Sequence, residues 1–547
     1  MLTESISPRI NPLISPDNTD FDQAYADFNW ASPVHFNIAE SICDRHHNLA
    51  GRIALFYENE QGETAQTTFG QLRKASNQLA NALAGMGVAE GDRVAIVLPQ
   101  RLETALAHLA LYKLKAIAVP LSGLFGSDAL SYRLGDSGSK LIVTDAKHRE
   151  LIEAIKPDLP DLGTVLDVDA KSGFWDALEN ASDIYTLPHT PPDTPALLIY
   201  TSGTTGPAKG ATVAHRCFYG NLTGFELSHN FYGQNDDLFW TPADWAWTGG
   251  LVDALLPTWY YGKPILAYEG GKFDPEKTCH LLDKYQIRNA FIPPTALKIL
   301  RQVEGIGTNY NINFRSIMSA GEALGAELYH WGQETLGIKI NEMWGQTEFN
   351  YIAGSSSAIM EPRPGSMGKP YPGHRVEVIG DAGKVLARGE TGELVAHTDD
   401  PVMFLGYWNK PEATAEKVIN GWWRTGDSGY IDDDGYIWFV GRNDDVISSA
   451  GHRIGPGEIE DVLMSHPAVI QAAVIGKPDE LRGEIVKAFV IASTGTAKDE
   501  ALRNNLKQHV KNRLAAHEYP REIEFIDELP MTTTGKVRRV ELRKREL

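Results

Sequence analysis

The sequence predicts an α/β protein with a large N-terminal region, a β-rich subdomain and a small α+β unit at its C-terminal end. Three observations carry that expectation. The chain has 547 residues, more than the roughly 250–300 at which one hydrophobic core stops growing, so at least two domains are expected. Segments of helical period alternate with short apolar runs through the early part of the chain, as in layered α/β folds. Around Gly368 and again beyond Gly441 the pattern changes character.

Taken in order, Leu72, Ala75, Leu79, Ala82, Leu83 and Met86 recur at helical spacing, Gly87 stops them, and Val94–Leu98 reads as a buried strand. A second helix is expected over about Leu102–Leu114, followed by strands at Ile117–Leu121 and Lys140–Val143. The stretch Gly368–Trp438 breaks into short β-prone pieces separated by Gly, Asp and Asn, with Gly373–Gly380 among them, and reads as the β-rich subdomain. The remainder predicts a helix at about Gly457–His466, strands near Val469–Ile475 and Ile485–Ala492, a helix near Ala497–Leu514 and a last strand near Glu522–Phe525. The domains are accordingly set at 1–441 and 446–547, with 442–445 as the joint.

Apolar residues make up 42% of the chain and charged residues 22%, a balance that buries a large core and does not read as disorder. Lys and Arg number 51 against 71 Asp and Glu, and the resulting net charge of −20 repels a phosphate backbone, so nucleic acid is not an expected partner. The only strongly basic stretch is the tail Lys536–Lys544, which suits an anionic cofactor better than a polymer. No window is long and apolar enough for a membrane span, and Met1–Asp20 lacks the regions of a signal peptide. No integral membrane association and a cytoplasmic location are expected. Cys43, Cys217 and Cys279 show no C-x-x-C spacing and read as buried free thiols.

The strongest chemical signal is Tyr200-Thr-Ser-Gly-Thr-Thr-Gly-Pro-Ala-Lys-Gly210, at the end of the apolar strand Ala196–Tyr200. Gly203 and Gly206 let backbone amides turn inward into an anion-binding nest. The hydroxyls of Thr201, Ser202, Thr204 and Thr205 donate further hydrogen bonds, and Lys209 neutralises phosphate charge. A plain Ser/Thr/Gly surface loop rarely carries so many donors beside a lysine. A Walker loop requires G-x-x-x-x-G-K-[ST] running into a helix, whereas Lys209 lies three residues after Gly206 and precedes a β-prone stretch.

This loop resembles the phosphate loop of the adenylate-forming family, which includes acyl-CoA synthetases, firefly luciferases and the adenylation domains of peptide synthetases. Other segments match that family in its own order. Trp344-Gly-Gln-Thr-Glu348 is similar to its aromatic-Gly-x-Thr-Glu segment, with Trp where Tyr is more usual. The resemblance implies that Trp344, Gly345 and Gln346 stand at the nucleotide, that Thr347 touches the α-phosphate and that Glu348 holds Mg2+, a hard ion that seeks oxygen. Ser319-Ala-Gly-Glu-Ala323 resembles the adenine segment, in which Gly321 permits close approach and Glu322 and Ala323 frame the ring. Asp427, in Trp423–Asp427, matches the aspartate that accepts from the ribose hydroxyls. Gly441–Asp445 and Ala450–Arg453 match the interdomain segment, with Arg442 near the ribose, Asp444 as hinge, Gly451 in the coenzyme A channel and Arg453 near phosphate. Pro530–Lys536 resembles the C-terminal lysine loop.

The resemblance spans about Phe36–Arg543. It implies an α/β fold whose large N-terminal domain holds two α/β subdomains plus a β-barrel-like subdomain, joined to a small mobile α+β C-terminal domain. It further implies ATP, Mg2+ and coenzyme A as cofactors, a small carboxylic acid as substrate, and Lys536, Thr347 and Glu348 as the catalytic set. Lys536 would bridge carboxylate and α-phosphate oxygens during adenylation. The C-terminal domain would then turn about Asp444, withdraw Lys536 and admit the CoA thiol past Gly451, with His452 structural. Lys511, with Arg521, is a candidate for the CoA nucleotide phosphates. A lysine acetyltransferase and deacetylase acting on Lys536 are expected partners, because acetylation removes its charge.

Acetate-specific members of the family fill the acyl pocket with a tryptophan directly before Gln-Thr-Glu, where this chain has Gly345. Thr248, Gly249 and Ala320 fall at further wall positions beside Trp247, and none of the three is bulky. Each methylene buried in the freed space is worth about 0.8 kcal/mol, so a short-to-medium-chain, branched or aryl acid is expected over acetate. The alternatives are an acetyl- or propionyl-CoA synthetase, a stand-alone adenylating enzyme that loads a carrier protein, and a luciferase-like oxygenase.

Overall fold

Alternating apolar strands and helices in the first 214 residues build six strands of a seven-stranded sheet, which Gly406–Tyr407 completes at one edge. The computed structural model describes residues 12–31, 33–201, 207–449, 452–479, 482–514, 518–532 and 536–546. In it the strands of this sheet run in the order Gly406–Tyr407, Lys209–Ala214, Pro195–Thr201, Ile117–Pro120, Arg93–Val97, Leu141–Thr144 and Thr164–Asp167. The pairings from Pro195–Thr201 outward to Thr164–Asp167 are parallel. Pro195–Thr201 then turns back antiparallel into Lys209–Ala214, so the Gly-rich segment joins two paired strands. The helix Phe69–Gly85 opens on a capping box in which Thr68 and Gln71 satisfy each other's backbone amides. The helix Leu102–Leu114 is buried from Glu103 to Lys113, which places it deep in the core rather than at the surface.

A second, nine-stranded sheet has the order Lys369–Pro370, Phe349–Gly354, Asn341–Gln346, Ser316–Ser319, Asn289–Phe291, Phe239–Trp240, Ile265–Glu269, Ile53–Asn59 and Thr64–Thr68. The β-rich stretch forms a five-stranded antiparallel sheet, in which Trp422–Ile431 pairs with Gly392–His397, Val418–Ile419 and Ile437–Arg442. This last strand ends at Arg442, and the first strand of the C-terminal sheet begins at Ile447.

The C-terminal unit is α+β, as expected. Gly483–Ala492 pairs antiparallel with Val469–Asp479 and parallel with Glu522–Phe525, and the helices Pro456–Met464 and Glu500–Arg513 pack on the sheet. The second half of the basic tail is the helix Arg539–Lys544, pinned by fully buried Leu542 against Ala473, Ile475 and Phe489. All three cysteines are buried and free. Among the described residues no helix is long and apolar enough to cross a membrane.

Candidate active site

Asp427 anchors the centre of the site. It sits within the long strand Trp422–Ile431, 4% exposed, and its carboxylate draws three donors from two other strands. Oδ2 accepts from Trp344 Nε1 at 3.0 Å and Gln346 Nε2 at 2.9 Å, and Oδ1 accepts from Arg442 Nη1 at 2.8 Å. A carboxylate offers about four acceptor positions, so one remains on Oδ1. The tryptophan at 344 therefore does more than keep an aromatic plane: its ring N–H fixes the orientation of Asp427. Arg442 Nε also lies 3.8 Å from Asp444, which links the cluster to the joint between the domains.

Thr347 and Glu348 form the turn between Asn341–Gln346 and Phe349–Gly354. Glu348 is buried, and its Oε1 accepts from the Tyr407 hydroxyl at 2.6 Å. Burial, and then the charge of Glu348, push the Tyr407 phenol far above its ordinary range, so it stays a neutral donor. Lys209 Nζ stands 5.1 Å over the same ring. Tyr407 was not legible in the sequence, because it reaches Glu348 and Lys209 only when the strand Gly406–Tyr407 adds to the edge of Lys209–Ala214. Thr201 closes the preceding strand, with its Oγ1 donating to Lys209 O at 3.3 Å. Ser202, Gly203, Thr204, Thr205, Gly206 and Gly451 lie outside the described residues, as does the side chain of Arg453.

Gly321 adopts φ +95°, a conformation that suits glycine, and a Cβ built there would lie 3.7 Å from Lys536 Cε. Ala323 is exposed, and Glu322 accepts from Thr295 Oγ1 at 3.1 Å. Lys536 belongs to the C-terminal unit, so the lysine reaches across to the adenine-type segment of the large domain. Its backbone is clasped to Thr532, with N donating to Oγ1 at 3.0 Å and O accepting from Thr532 N at 2.7 Å. Arg539, three residues on, pairs with Glu460 at 2.8 Å and Asp445 at 3.5 Å, while Arg543 holds Asp445 at 2.6 Å. Lys511 instead stands 5.6 Å over the Tyr519 ring, beside Arg521.

The expected acyl-pocket positions are refined by the structure. Thr248–Gly250 is the first turn of a helical segment, and Trp247 packs edge-on against Phe125. Trp245 is wholly buried in the main core. A Cβ at Gly345 would fall 2.6 Å from Tyr351 N, and one at Gly249 would fall 2.5 Å from Phe291 Cε1. Gly345 is thus required by the close approach of a neighbouring backbone, and it does not face an empty slot shaped for an indole.

A lysine carried by a small domain to a glycine on the face of a larger α/β domain, which also holds a carboxylate fixed by three donors, is the arrangement of a two-domain nucleotide-activating enzyme. The chain belongs to the AMP-binding enzyme family: residues 44–408 match the AMP-binding enzyme model and residues 458–536 match the AMP-binding enzyme C-terminal domain. An uncharacterised acyl-CoA ligase of Bacillus subtilis (strain 168) is 33% identical over 526 residues, covering 94% of this chain and 97% of the relative. An acetyl-coenzyme A synthetase of the same organism is 34% identical over 561 residues, covering 98% and 97%. The crystal structure of an anthranilate CoA ligase in complex with anthranoyl-AMP aligns with a TM-score of 0.86 at 29% identity, covering 94% of this chain and 98% of that one. The protein is an AMP-forming acid–thiol ligase of the adenylate-forming type, dependent on ATP and CoA.

Proposed function

We propose that the enzyme converts a short-to-medium-chain, branched or aryl carboxylic acid to its acyl-CoA through an acyl-adenylate, releasing AMP and pyrophosphate. The observation that carries this reading is the reach of Lys536 over Gly321. A carboxylate oxygen attacks the α-phosphorus of ATP, a new P–O bond forms, and the bond to pyrophosphate breaks. Two anions must meet, so the step needs positive charge fixed at that point more than it needs a base. Lys536 supplies the charge, Thr347 meets the α-phosphate, and Thr201–Gly206 with Lys209 receives the leaving pyrophosphate. The free acceptor position on Asp427 suits a ribose hydroxyl.

Mg2+ binds through one or two carboxylates and takes its remaining ligands from phosphate and water. Glu348 fits that pattern, since Tyr407 engages Oε1 alone. The described residues contain no cluster of three or more His, Cys, Asp or Glu that would hold a metal by itself. Bound there, the ion would offset phosphate charge. In the second half-reaction the CoA sulfur attacks the acyl carbon, AMP leaves with the bonding electrons, and the thiol proton passes to water. Ala320 carries no large side chain at its expected wall position, which favours acids larger than acetate, while the spaces beside Gly249 and Gly345 are taken by the Phe291 ring and the Tyr351 backbone.

The test separates the half-reactions. Lys536→Ala should lower pyrophosphate release from acid and ATP by at least about a hundredfold while sparing thioester formation from supplied acyl-adenylate. Equal loss of both would sink the assignment. Acetylation of Lys536 by a lysine acetyltransferase, reversed by a deacetylase, removes the same charge and would silence the same step.

A further inference from the structure

The helical segment that starts at Thr248 touches two strands of the nine-stranded sheet that lie three places apart. At Asn289–Phe291 the Phe291 ring occupies the place of a Gly249 side chain. One turn later Asp253 reaches Phe349–Gly354, three strands further along the sheet, and its Oδ1 accepts from Asn350 Nδ2. Gly249 and Asp253 are four residues apart and so share a helix face. Of the two strands between, one is followed by Ala320 and the other carries Gly345 as its last residue but one, so at those two positions no side chain is longer than a methyl. Asn350 Cα lies 3.1 Å from where a Gly345 Cβ would stand. The helix face from Gly249 to Asp253 is therefore bounded by an aromatic ring on one side and a carboxyl–carboxamide pair on the other.

That pair is poorly compensated. Asp253 is 3% exposed and Asn350 9%. Asn350 Nδ2 is shared with Asn221, whose Oδ1 accepts from it at 3.0 Å and whose Nδ2 donates to Asn350 O at 3.2 Å once the Asn221 amide is turned to suit both neighbours. Burial pushes the Asp253 carboxyl up to about 7, and Asn350 alone opposes the rise. Among the described residues Asn350 is its one side-chain donor and no cation pairs with it, and a buried carboxyl so placed gains from a further partner. Asp253 also lies in Leu251–Leu255, wound as a π-helix, a form concentrated at functional sites.

We propose that Asp253, with Asn350, is a specificity-determining residue of the acyl pocket, and that the preferred acid carries a hydroxyl or amino group remote from its carboxylate. This rests on the reading of Thr248, Gly249, Ala320 and Gly345 as the pocket wall. A hydroxyl or amine would give the Asp253 carboxyl a donor beyond Asn350, whereas an alkyl end would supply none, and such sites discriminate strongly.

The experiment measures acyl-CoA formation by the full chain over matched acids: butyrate against 4-hydroxybutyrate and 4-aminobutyrate, and benzoate against its hydroxy and amino derivatives. The wild type, Asp253→Asn and Asp253→Leu are compared. Expected is a kcat/KM at least about tenfold higher for the best polar acid than for its apolar parent, weakened in Asp253→Asn and lost in Asp253→Leu. Should Asp253→Leu fail to fold, the wild type and the isosteric Asp253→Asn decide the matter. A wild type that prefers the apolar member of every pair, or a polar preference unchanged by both variants, overturns this proposal alone. Absence of acyl-CoA with any acid overturns the proposed function as well.

Discussion

Arg539 touches more of the machinery than its place in a basic C-terminal stretch suggests. Its guanidinium grips both oxygens of Glu460 at 2.8 Å, faces Asp445 at 3.5 Å and feels the charge of Glu322. The loop that presents Lys536 is thereby tied to the joint and to the helix Pro456–Met464. Arg539→Gln leaves Glu460 without its cation, a loss that is strongly destabilising at largely buried pairs, while Asp445 keeps Arg543. Pyrophosphate release should fall about tenfold or more, with a smaller loss in thioester formation from supplied adenylate. Arg539→Lys should recover part of it, because an ammonium cannot match the two-pronged grip. Equal activity of Arg539→Gln and wild type would remove Arg539 from the positioning role. Residues of this kind escape a sequence reading for a physical reason. Asp427, Lys536 and Gly321 lie inside recognisable local segments, whereas the contacts of Arg539, Tyr407 and Asp253 exist only between segments far apart in the chain.

Between the strands Ile437–Arg442 and Ile447–Ser449 the chain makes one tight turn, in which Asp445 N and Val446 N both donate to Arg442 O at 2.9 Å. A proline at 444 would fix φ there and push residue 443 out of the helical region. If the domains turn at this point, Asp444→Pro should depress one half-reaction by roughly tenfold or more and the other much less. A uniform loss, or none, places the pivot elsewhere. At the level of elements the sequence foretold the helix near Leu102–Leu114 and the strand near Glu522–Phe525, and Val469–Asp479 proved longer than the stretch Val469–Ile475 that its apolar pattern marked. The nine-stranded sheet was largely missed. Strands such as Phe239–Trp240 and Asn289–Phe291 hold two or three residues, too few for any period to register, and they exist because their neighbours supply the pairing. The helix Arg539–Lys544 was hidden by its charge, since Leu542 alone is buried.

The two domains meet across a pair of acids. Glu342, in the strand Asn341–Gln346, accepts from Leu324 N at 3.1 Å, and Asp461, on the helix Pro456–Met464, presses so close to Gly325 that a Cβ there would fall 2.5 Å from its carboxylate. Burial pushes Glu342 up to about 8, with Asp461 adding to the rise. Burial likewise pushes Asp461 to about 7; Lys298 opposes it, while Glu460, Glu327 and Glu458 reinforce it. Lys298, Arg301, Glu327 and Asp461 all line one cavity of about 310 Å³ at this seam. In the unfolded chain both carboxyls titrate near 4. The folded protein therefore binds more protons than the unfolded one across the interval from about 4 to about 8, and its stability falls as the pH rises through that interval. Asp461→Asn keeps the shape and can never ionise. Denaturant midpoints should place the variant above the wild type at pH 8, by a margin on the order of a few kcal/mol, with the gap closing as the pH falls toward 4. A variant less stable than the wild type at pH 8 would mean that Asp461 works as a paired anion at the seam, with Lys298 its natural partner, and that the two domains are held by attraction where burial of a neutral acid is expected.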